Sequence, residues 1–289
     1  MTSTILVGVA GTEASRAALR WSMKRAAAIG AEVILTYVVD DEWATIGARM
    51  LDDLRDDAQR VLEGESEYAR SLAPEVVRHT RLLHGSLMKE LVTTSDSVDL
   101  VAVGTHKTGF VNGKVFGSRS LLLAAAAHTP VAIIPQTSQR DGRGVVVAVD
   151  DSVAGRLAIR FAAVEAERAG ETLTLLRAYA VPNFPGRDDS ARRELTQHIE
   201  ASTTMVLAAA AALVRAVAPA AVVKTRSVQR PAAEALVDAS AAAALLVIGS
   251  SRREDPEQMM VGSVSHDVLI NITGPTIIVH PGDHQRTSS

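Results

Sequence analysis

The stretch Ile5-Leu6-Val7-Gly8-Val9-Ala10-Gly11-Thr12-Glu13 lies near the start of the chain, and a similar stretch, Val145-Val146-Val147-Ala148-Val149-Asp150-Asp151-Ser152, lies near its middle. Each is a short apolar run, typical of a buried strand, that ends in a polar turn. In both places a helical segment follows and ends at Gly30 or Gly170, where glycine can take the left-handed conformation that closes a helix. The offset is 140 residues, so the chain repeats one strand-helix unit.

The repetition continues in the later part of each half. An apolar run that ends at Gly104 matches one that ends at Gly249, and the pair Gly117-Ser118 matches Gly262-Ser263. The offset here is 145 residues, five more than before. This difference indicates one insertion, most simply in the loop or long helix that follows the second strand of the second half.

Each half is predicted to have five strands that alternate with helices, a pattern typical of a parallel sheet covered on both faces. The predicted strands span residues 4–9, 32–39, 76–83, 100–104 and 131–135, then 145–150, 172–179, 221–228, 245–249 and 276–280. The fold class is therefore α/β, with two tandem open five-stranded parallel sheets. We expect domains at residues 1–137 and 142–283, with a polar linker between them. The long second helix of the first half is predicted to bury an apolar stripe, made of Leu51, Leu54, Ala58, Val61, Leu62, Ala69 and Leu72.

Composition argues against several kinds of partner. A formal net charge of −3 and a pI near 6.3 provide no basic surface for a phosphate backbone, so we expect no nucleic acid. The absence of Cys suits a reducing cytoplasm. The first residues lack the pattern of a signal peptide, and the apolar stretch 205–217 contains Arg215 and is too short to span a membrane. We expect a cytoplasmic protein with no membrane partner.

The loop after the fourth strand of each half is a candidate site, because open parallel sheets bind ligands outside the carboxyl ends of their strands. It spans residues 105–116 in the first half and 250–261 in the second, longer than the usual loop of about 2 to 6 residues. Each loop leads to Gly-Ser at the start of a helix, where unpaired N–H groups and the helix dipole suit a phosphate. The same pair is also an ordinary helix cap, so the motif alone leaves both functions open.

These loops resemble the nucleotide loop of the universal stress protein family, which has Gly, two residues, Gly, nine residues and then Gly-Ser or Gly-Thr. The first half reads Gly104-Thr105-His106-Lys107, nine residues and Gly117-Ser118, and the second reads Gly249-Ser250-Ser251-Arg252, nine residues and Gly262-Ser263. The resemblance spans nearly the whole chain. It implies an adenine nucleotide alpha hydrolase-like fold with strand order 3-2-1-4-5, halves packed as a pseudo-dimer, and ATP between the ends of the first and fourth strands.

Lys107 and Arg252 depart from this pattern. ATP-binding members of the family have a second glycine there, which lets the backbone approach the phosphates without a Cβ. Both side chains add bulk, and both add a positive charge that can meet a phosphate. The resemblance implies that Val38 and Ala178 face adenine, and either residue suits this position because adenine is typically read there by backbone groups.

The two halves differ in the other parts of the implied site. The family places an Asp at the end of the first strand, near the ribose and a Mg²⁺; Asp150 matches it, whereas the first half has Ala10. Asp150 could instead be a helix cap. The first loop is basic and rich in glycine, including Gly109, whereas residues 253–257 of the second loop are acidic and contain a Pro without an N–H donor.

The sequence leaves two functions open. One is a stress-response protein that binds ATP and regulates through its assembly or partners; the other is an interaction or structural member of the family that has lost nucleotide binding. No catalytic residues are predicted, because the lone loop histidine, His106, has no evident partner, and we expect at most slow ATP hydrolysis. The candidate nucleotide-binding residues are Val38, Gly104, Lys107, Gly109, Gly117, Ser118, Asp150, Ala178, Gly249, Arg252, Gly262 and Ser263.

The last strand of each half needs a partner. Residues 131–134 and 276–279 are apolar, and in the implied strand order they lie at a sheet edge that a free monomer would have to protect. We expect these strands to pair with each other inside the chain or with a second chain, as a homodimer.

Overall fold

The computed structural model describes residues 2–40, 48–106, 118–137, 142–182, 189–250 and 261–281. The first half contains β1 (Thr4–Gly8), α1 (Glu13–Ile29), β2 (Glu32–Val39), α2 (Ala48–Leu72), β3 (Arg78–His84), α3 (Leu87–Ser95), β4 (Leu100–Thr105), α4 (Ser118–Ala126) and β5 (Val131–Pro135). The second half contains β6 (Val145–Ala148), α5 (Val153–Ala169), β7 (Leu173–Tyr179), α6 (Asp189–Val217), β8 (Val223–Gln229), α7 (Ala232–Ser240), β9 (Leu245–Gly249), α8 (Ser263–Ile270) and β10 (Thr276–Val279).

The strands form one sheet of ten, in the order β3-β2-β1-β4-β5-β10-β9-β6-β7-β8. Each half is parallel with the order 3-2-1-4-5, which confirms the predicted fold class. The halves join where β5 and β10 pair antiparallel. Each of these strands therefore has a neighbour on both sides, and neither offers an edge for the alternative, a homodimer through the same strands.

The apolar core lies on both faces of this sheet, because successive strand residues point to opposite sides. Ile5 and Val7 of β1 belong to a cluster covered by α1, α2, α5 and α6. Leu6, between them, belongs to a second cluster covered by α3, α4, α7 and α8. Helices α1 and α5 end at Gly30 and Gly170 with φ of 67° and 64°, as the sequence predicted.

The apolar stripe of α2 was predicted only in part. Ala58, Leu62 and Ala69 are buried, but Leu72 is 40% exposed. Glu65, which is not part of the predicted stripe, is buried with 1% exposure. An apolar pattern cannot reveal a buried carboxylate, because such a group is buried only when another element supplies a partner.

Helix α6 is longer than its apolar stretch suggested. Over Arg192–Val217 it is long and apolar enough, by length and composition alone, to cross a membrane, and 22% of the most apolar window is buried in this fold. Thr203, Leu207 and Val214 form its buried side, and the helix packs on α5, β7 and β8. In this structure α6 thus covers part of one face of the sheet.

Candidate functional site

The carboxyl ends of β1 and β4, and of β6 and β9, are the points where the chain leaves neighbouring strands toward opposite sides of the sheet. Such switch points are the usual ligand positions in open α/β sheets. The turns from β1 into α1 and from β6 into α5 are described in full. The loops over residues 107–117 and 251–260 lie outside the described residues, and with them Lys107, Gly109, Gly117 and Arg252.

Gly104 and Gly249 end β4 and β9, and both have a packing role. A Cβ on Gly104 would lie 1.9 Å from the carbonyl oxygen of Ala14, and one on Gly249 would lie 2.4 Å from that of Ala154. Only glycine allows the first turns of α1 and α5 to approach the strands this closely. The presence of these two glycines is therefore explained by helix packing alone.

Asp150 holds the turn that starts α5. Its Oδ1 accepts hydrogen bonds from the backbone N–H of Ser152 at 3.0 Å and from the Ser152 hydroxyl at 2.7 Å. Ser152 Oγ in turn accepts from the N–H of Gly155, as the helix cap. Asp150 therefore contributes to helix initiation, a role that the sequence left open, through Oδ1. Asp150 is exposed to solvent.

Ser15 performs the same task in the first half. Its Oγ accepts hydrogen bonds from the N–H groups of Ala10 at 3.2 Å and Thr12 at 3.1 Å, while Thr12 caps α1. Ala10 is equivalent to Asp150, and Ser15 is equivalent to Gly155. Sequence reasoning missed Ser15, although its replacement by glycine in the second half was visible in the aligned repeats.

The ends of β2 and β7 place the residues expected to face adenine. Val38 and Ala178 are both half-buried. Thr36 is two residues before Val38 and therefore on the same face of the sheet. Its hydroxyl is buried and has no hydrogen-bond partner among the described residues, which leaves a polar group of the first half unsatisfied near this strand end.

Arg177 brings a positive charge to the carboxyl end of β6. Its Nη1 donates to the carbonyl oxygen of Val149 at 3.3 Å, and its Nη2 lies 3.6 Å from Oδ2 of Asp151. The buried Nε has no hydrogen-bond partner among the described residues. The sequence did not identify Arg177, because the contact between β7 and the turn after β6 exists only in the folded sheet.

Tyr179 lies at the end of β7, two residues after Arg177. Burial raises the pKa of its phenol, and the nearby carboxylate of Glu200, which accepts a hydrogen bond from the hydroxyl at 3.2 Å, raises this pKa further. Tyr179 is therefore a neutral hydrogen-bonding group around neutral pH.

Ser250 and Gly262, the described ends of the second loop, are joined by a hydrogen bond. The buried Ser250 accepts a hydrogen bond from the N–H of Gly262 at 3.0 Å. The carbonyl oxygen of Ser250 lies 2.8 Å from Nδ1 of His280, whose Nε2 contacts the carbonyl oxygen of Ala124 in the first half. Ser263, the first residue of α8, is exposed.

In the first half, hydrogen bonds connect the ends of β4 and β5 at the corresponding place. Nδ1 of His106 lies 3.2 Å from the side-chain oxygen of Gln136, and the Gln136 N–H donates to the carbonyl oxygen of Thr105. His106 is thus a hydrogen-bonding residue between the ends of β4 and β5. Ser118 begins α4, and its side chain is outside the described part of the chain.

A metal site built from protein side chains alone is not found in the part of the chain that the structure describes, which has no group of three or more His, Asp or Glu residues that could hold an ion. A Mg²⁺ held through Asp150 would therefore depend on oxygen ligands from a nucleotide or water. This site stays a prediction.

Comparison with known proteins gives consistent matches. The model of the universal stress protein family matches residues 1–135 and again residues 143–280. A universal stress protein of Mycobacterium tuberculosis is 30% identical over 217 residues, which cover 68% of this chain and 71% of that protein. A second one from the same organism is 29% identical over 204 residues, and the match spans 62% of its length. The solved structure of a universal stress protein from Archaeoglobus fulgidus covers 96% of this chain and 98% of its own, with a TM-score of 0.67 at 16% identity, a likeness of fold.

Proposed function

Because this chain belongs to the universal stress protein family, with two copies of the family's domain in tandem, we propose that it binds an adenine nucleotide, ATP, at the carboxyl ends of its central strands. Occupancy would then regulate the protein's assembly or its partners. The observation that carries the proposal is that the two described ends of the second glycine loop meet at one strand end. Gly249 ends β9 beside β6, and the N–H of Gly262 donates to Oγ of Ser250, the residue after Gly249.

The second half offers groups that suit the parts of a nucleotide. The backbone at Ala178 would face adenine, and Gly262 and Ser263 would present the start of α8 to the phosphates. Asp150 uses Oδ1 in the turn, so Oδ2 would serve a Mg²⁺ that accompanies the phosphates. Arg177 provides a nearby positive charge. When bound, the nucleotide would supply the phosphate charge and an anhydride bond open to slow hydrolysis.

The first half would bind the nucleotide in a different way. It has no carboxylate at the position of Asp150, because Ala10 stands there and Ser15 accepts the hydrogen bonds of the turn. Lys107 would meet the phosphates directly, without an aspartate-held metal, and Val38 would lie beside the adenine. We therefore propose that Mg²⁺ is needed for binding in the second half only, where the carboxylates would otherwise repel the phosphates.

The alternative function, an interaction protein without nucleotide, also has an observation in its favour. Ser250 already accepts the hydrogen bond of the Gly262 N–H, and the Ser152 groups already bind Asp150. These polar groups are satisfied inside the protein and would bind a phosphate or metal only in competition with existing contacts.

Nucleotide binding is tested by ligand release and by thermal stability. Freshly purified protein is denatured and analysed for adenine nucleotide, and melting is measured with ATP in EDTA and with Mg-ATP. A ligand at about 100 times its Kd stabilises the folded state by about 2.7 kcal/mol, so both conditions are expected to raise Tm, Mg-ATP more strongly. A ligand-free protein whose Tm is unchanged by millimolar Mg-ATP would favour the alternative function.

Two variants separate the sites. Lys107→Glu is expected to abolish the part of the stabilisation that persists in EDTA, and Asp150→Asn the part that requires Mg²⁺. Asparagine keeps an oxygen acceptor for Ser152, so the turn is retained. The matched control is Lys224→Glu, which makes the same charge change as Lys107→Glu at an exposed position of β8. It is expected to leave the stabilisation in EDTA and the stabilisation that requires Mg²⁺ unchanged.

A further inference from the structure

The two halves are related by a pseudo-twofold axis whose position follows from strand register. Where β5 and β10 pair, Ala132 lies opposite Ile277. These residues are equivalent in the two repeats, at the offset of 145 residues. Residues at equivalent positions can face each other only across the axis that relates the halves. The axis therefore passes between Ala132 and Ile277.

A charged pair lies on the same axis. Helices α1 and α5 contact each other on one face of the sheet, and there Nε and Nη2 of Arg25 donate to the two carboxylate oxygens of Glu165 at 2.9 and 2.6 Å. Arg25 and Glu165 are equivalent residues, at the offset of 140. The repeat has thus placed opposite charges at a single position of its two copies.

This pair is largely removed from water. The side chains of Arg25 and Glu165 are 12% and 9% exposed, and the guanidinium lies 5.8 Å from the centre of the Trp21 ring. Two parallel N–H···O bonds to a carboxylate are the most directional contact an arginine makes. Little water is therefore available to screen the interaction between charges at this position.

Pairing of like halves would bring like charges together at this point. Two first halves in the same arrangement would place Arg25 against Arg25, and two second halves would place Glu165 against Glu165. The arginine pair would have donors and no acceptor, the glutamate pair would have acceptors and no donor, and repulsion between like charges with little water around them is costly. The β5–β10 contact would discriminate less, because both strands present short apolar side chains.

We propose that the Arg25–Glu165 pair selects the unlike half as partner, so that a first half pairs with a second half and pairing of like halves is rejected. Its main effect is on specificity, since a buried ion pair contributes little more to stability than an apolar pair of similar size. Opposite charges at the centre of an otherwise apolar contact are an established way to reject wrong partners.

The test uses the full chain with a protease site placed in the linker between the halves. The folded protein is cleaved, denatured and refolded, and native mass spectrometry identifies which halves associate. The wild-type pair is expected to give only unlike pairs. The variant Arg25→Met/Glu165→Met is expected to give like pairs as well. A wild-type protein that forms like pairs freely, or a Met variant that stays entirely unlike, would overturn the proposal.

The uncleaved chain gives a second readout that does not require the halves to refold separately. Arg25→Glu and Glu165→Arg are each expected to lower Tm by about 5 °C or more, because each creates a like-charge contact. The exchanged variant Arg25→Glu/Glu165→Arg is expected to recover most of this loss, and Arg25→Met/Glu165→Met to stay near the wild-type Tm. If the exchanged variant melts no higher than the single variants, the charges at this position do not select the partner.

Discussion

At the scale of single residues, the two halves hold the same turn with different side chains five positions apart. The first half combines Ala10 with Ser15, and the second combines Asp150 with Gly155. A Cβ on Gly155 would lie 1.9 Å from Oδ1 of Asp150. With Oδ1 of the aspartate in this position there is no room for a Cβ at the second position. Where the aspartate is missing, the hydroxyl of Ser15 accepts the hydrogen bonds of the turn. The loss of the carboxylate in the first half leaves the turn intact.

This dependence predicts the outcome of exchanging the residues. Gly155→Ser alone is expected to lower the free energy of unfolding by about 1–3 kcal/mol, because the new Cβ displaces the carboxylate. The double variant Asp150→Ala/Gly155→Ser reproduces the first half and is expected to regain most of that loss in urea unfolding. A double variant no more stable than Gly155→Ser would contradict the paired role of these residues.

At the scale of elements, the strands and the helices that end in glycine were predicted well, because their apolar runs and closing residues are local signals. Contacts between elements were not. Glu65 on α2 is buried because Arg16 on α1 donates to its Oε1 at 2.8 Å, and Arg177 on β7 donates to the carbonyl oxygen of Val149, which follows the neighbouring strand β6. Neither partner is near in sequence, so no spacing rule reveals the pair. The candidate site stays a prediction: the sequence indicates the strand ends, whereas the contacts of Ser15, Thr36 and Arg177 come only from the fold.

The contact between α1 and α2 depends on that buried carboxylate. Arg16→Met is expected to cost about 1–3 kcal/mol, because Glu65 would remain buried without its donor. Glu65→Ala added to this variant is expected to recover part of the cost, since the equivalent residue of the second half is the apolar Ala210. Urea unfolding measures both changes. A double variant no more stable than the single one would show that the unpaired carboxylate is not the cause.

The pH dependence of this contact follows from the same geometry. The hydrogen bond from Arg16 to Glu65 raises the pKa of the guanidinium above its ordinary value. A raised pKa gives stability that is present below the unfolded-state value and lost only as pH rises through the folded-state value. The contribution that Arg16 makes to the free energy of unfolding through this pKa is therefore constant throughout the neutral pH range.

At the scale of the whole molecule, the β5–β10 pairing makes one sheet from two repeats. The apolar clusters on both faces contain residues from both halves. We expect the halves to unfold together, in a single calorimetric transition whose van't Hoff and calorimetric enthalpies agree. Two separate transitions in the wild-type chain would show that the shared sheet does not couple the halves.

The Arg25–Glu165 contact also has a consequence for how the two copies could diverge. In a homodimer every substitution occurs twice, and a residue on the symmetry axis always meets an identical residue. Opposite charges at such a point become possible only when the two copies are encoded separately, as the two halves of this chain are. Once each copy has a fixed, unlike neighbour, a substitution in one copy no longer has to fit against the same substitution in the other. The Ala10–Ser15 turn of the first half and the Asp150–Gly155 turn of the second could then arise independently.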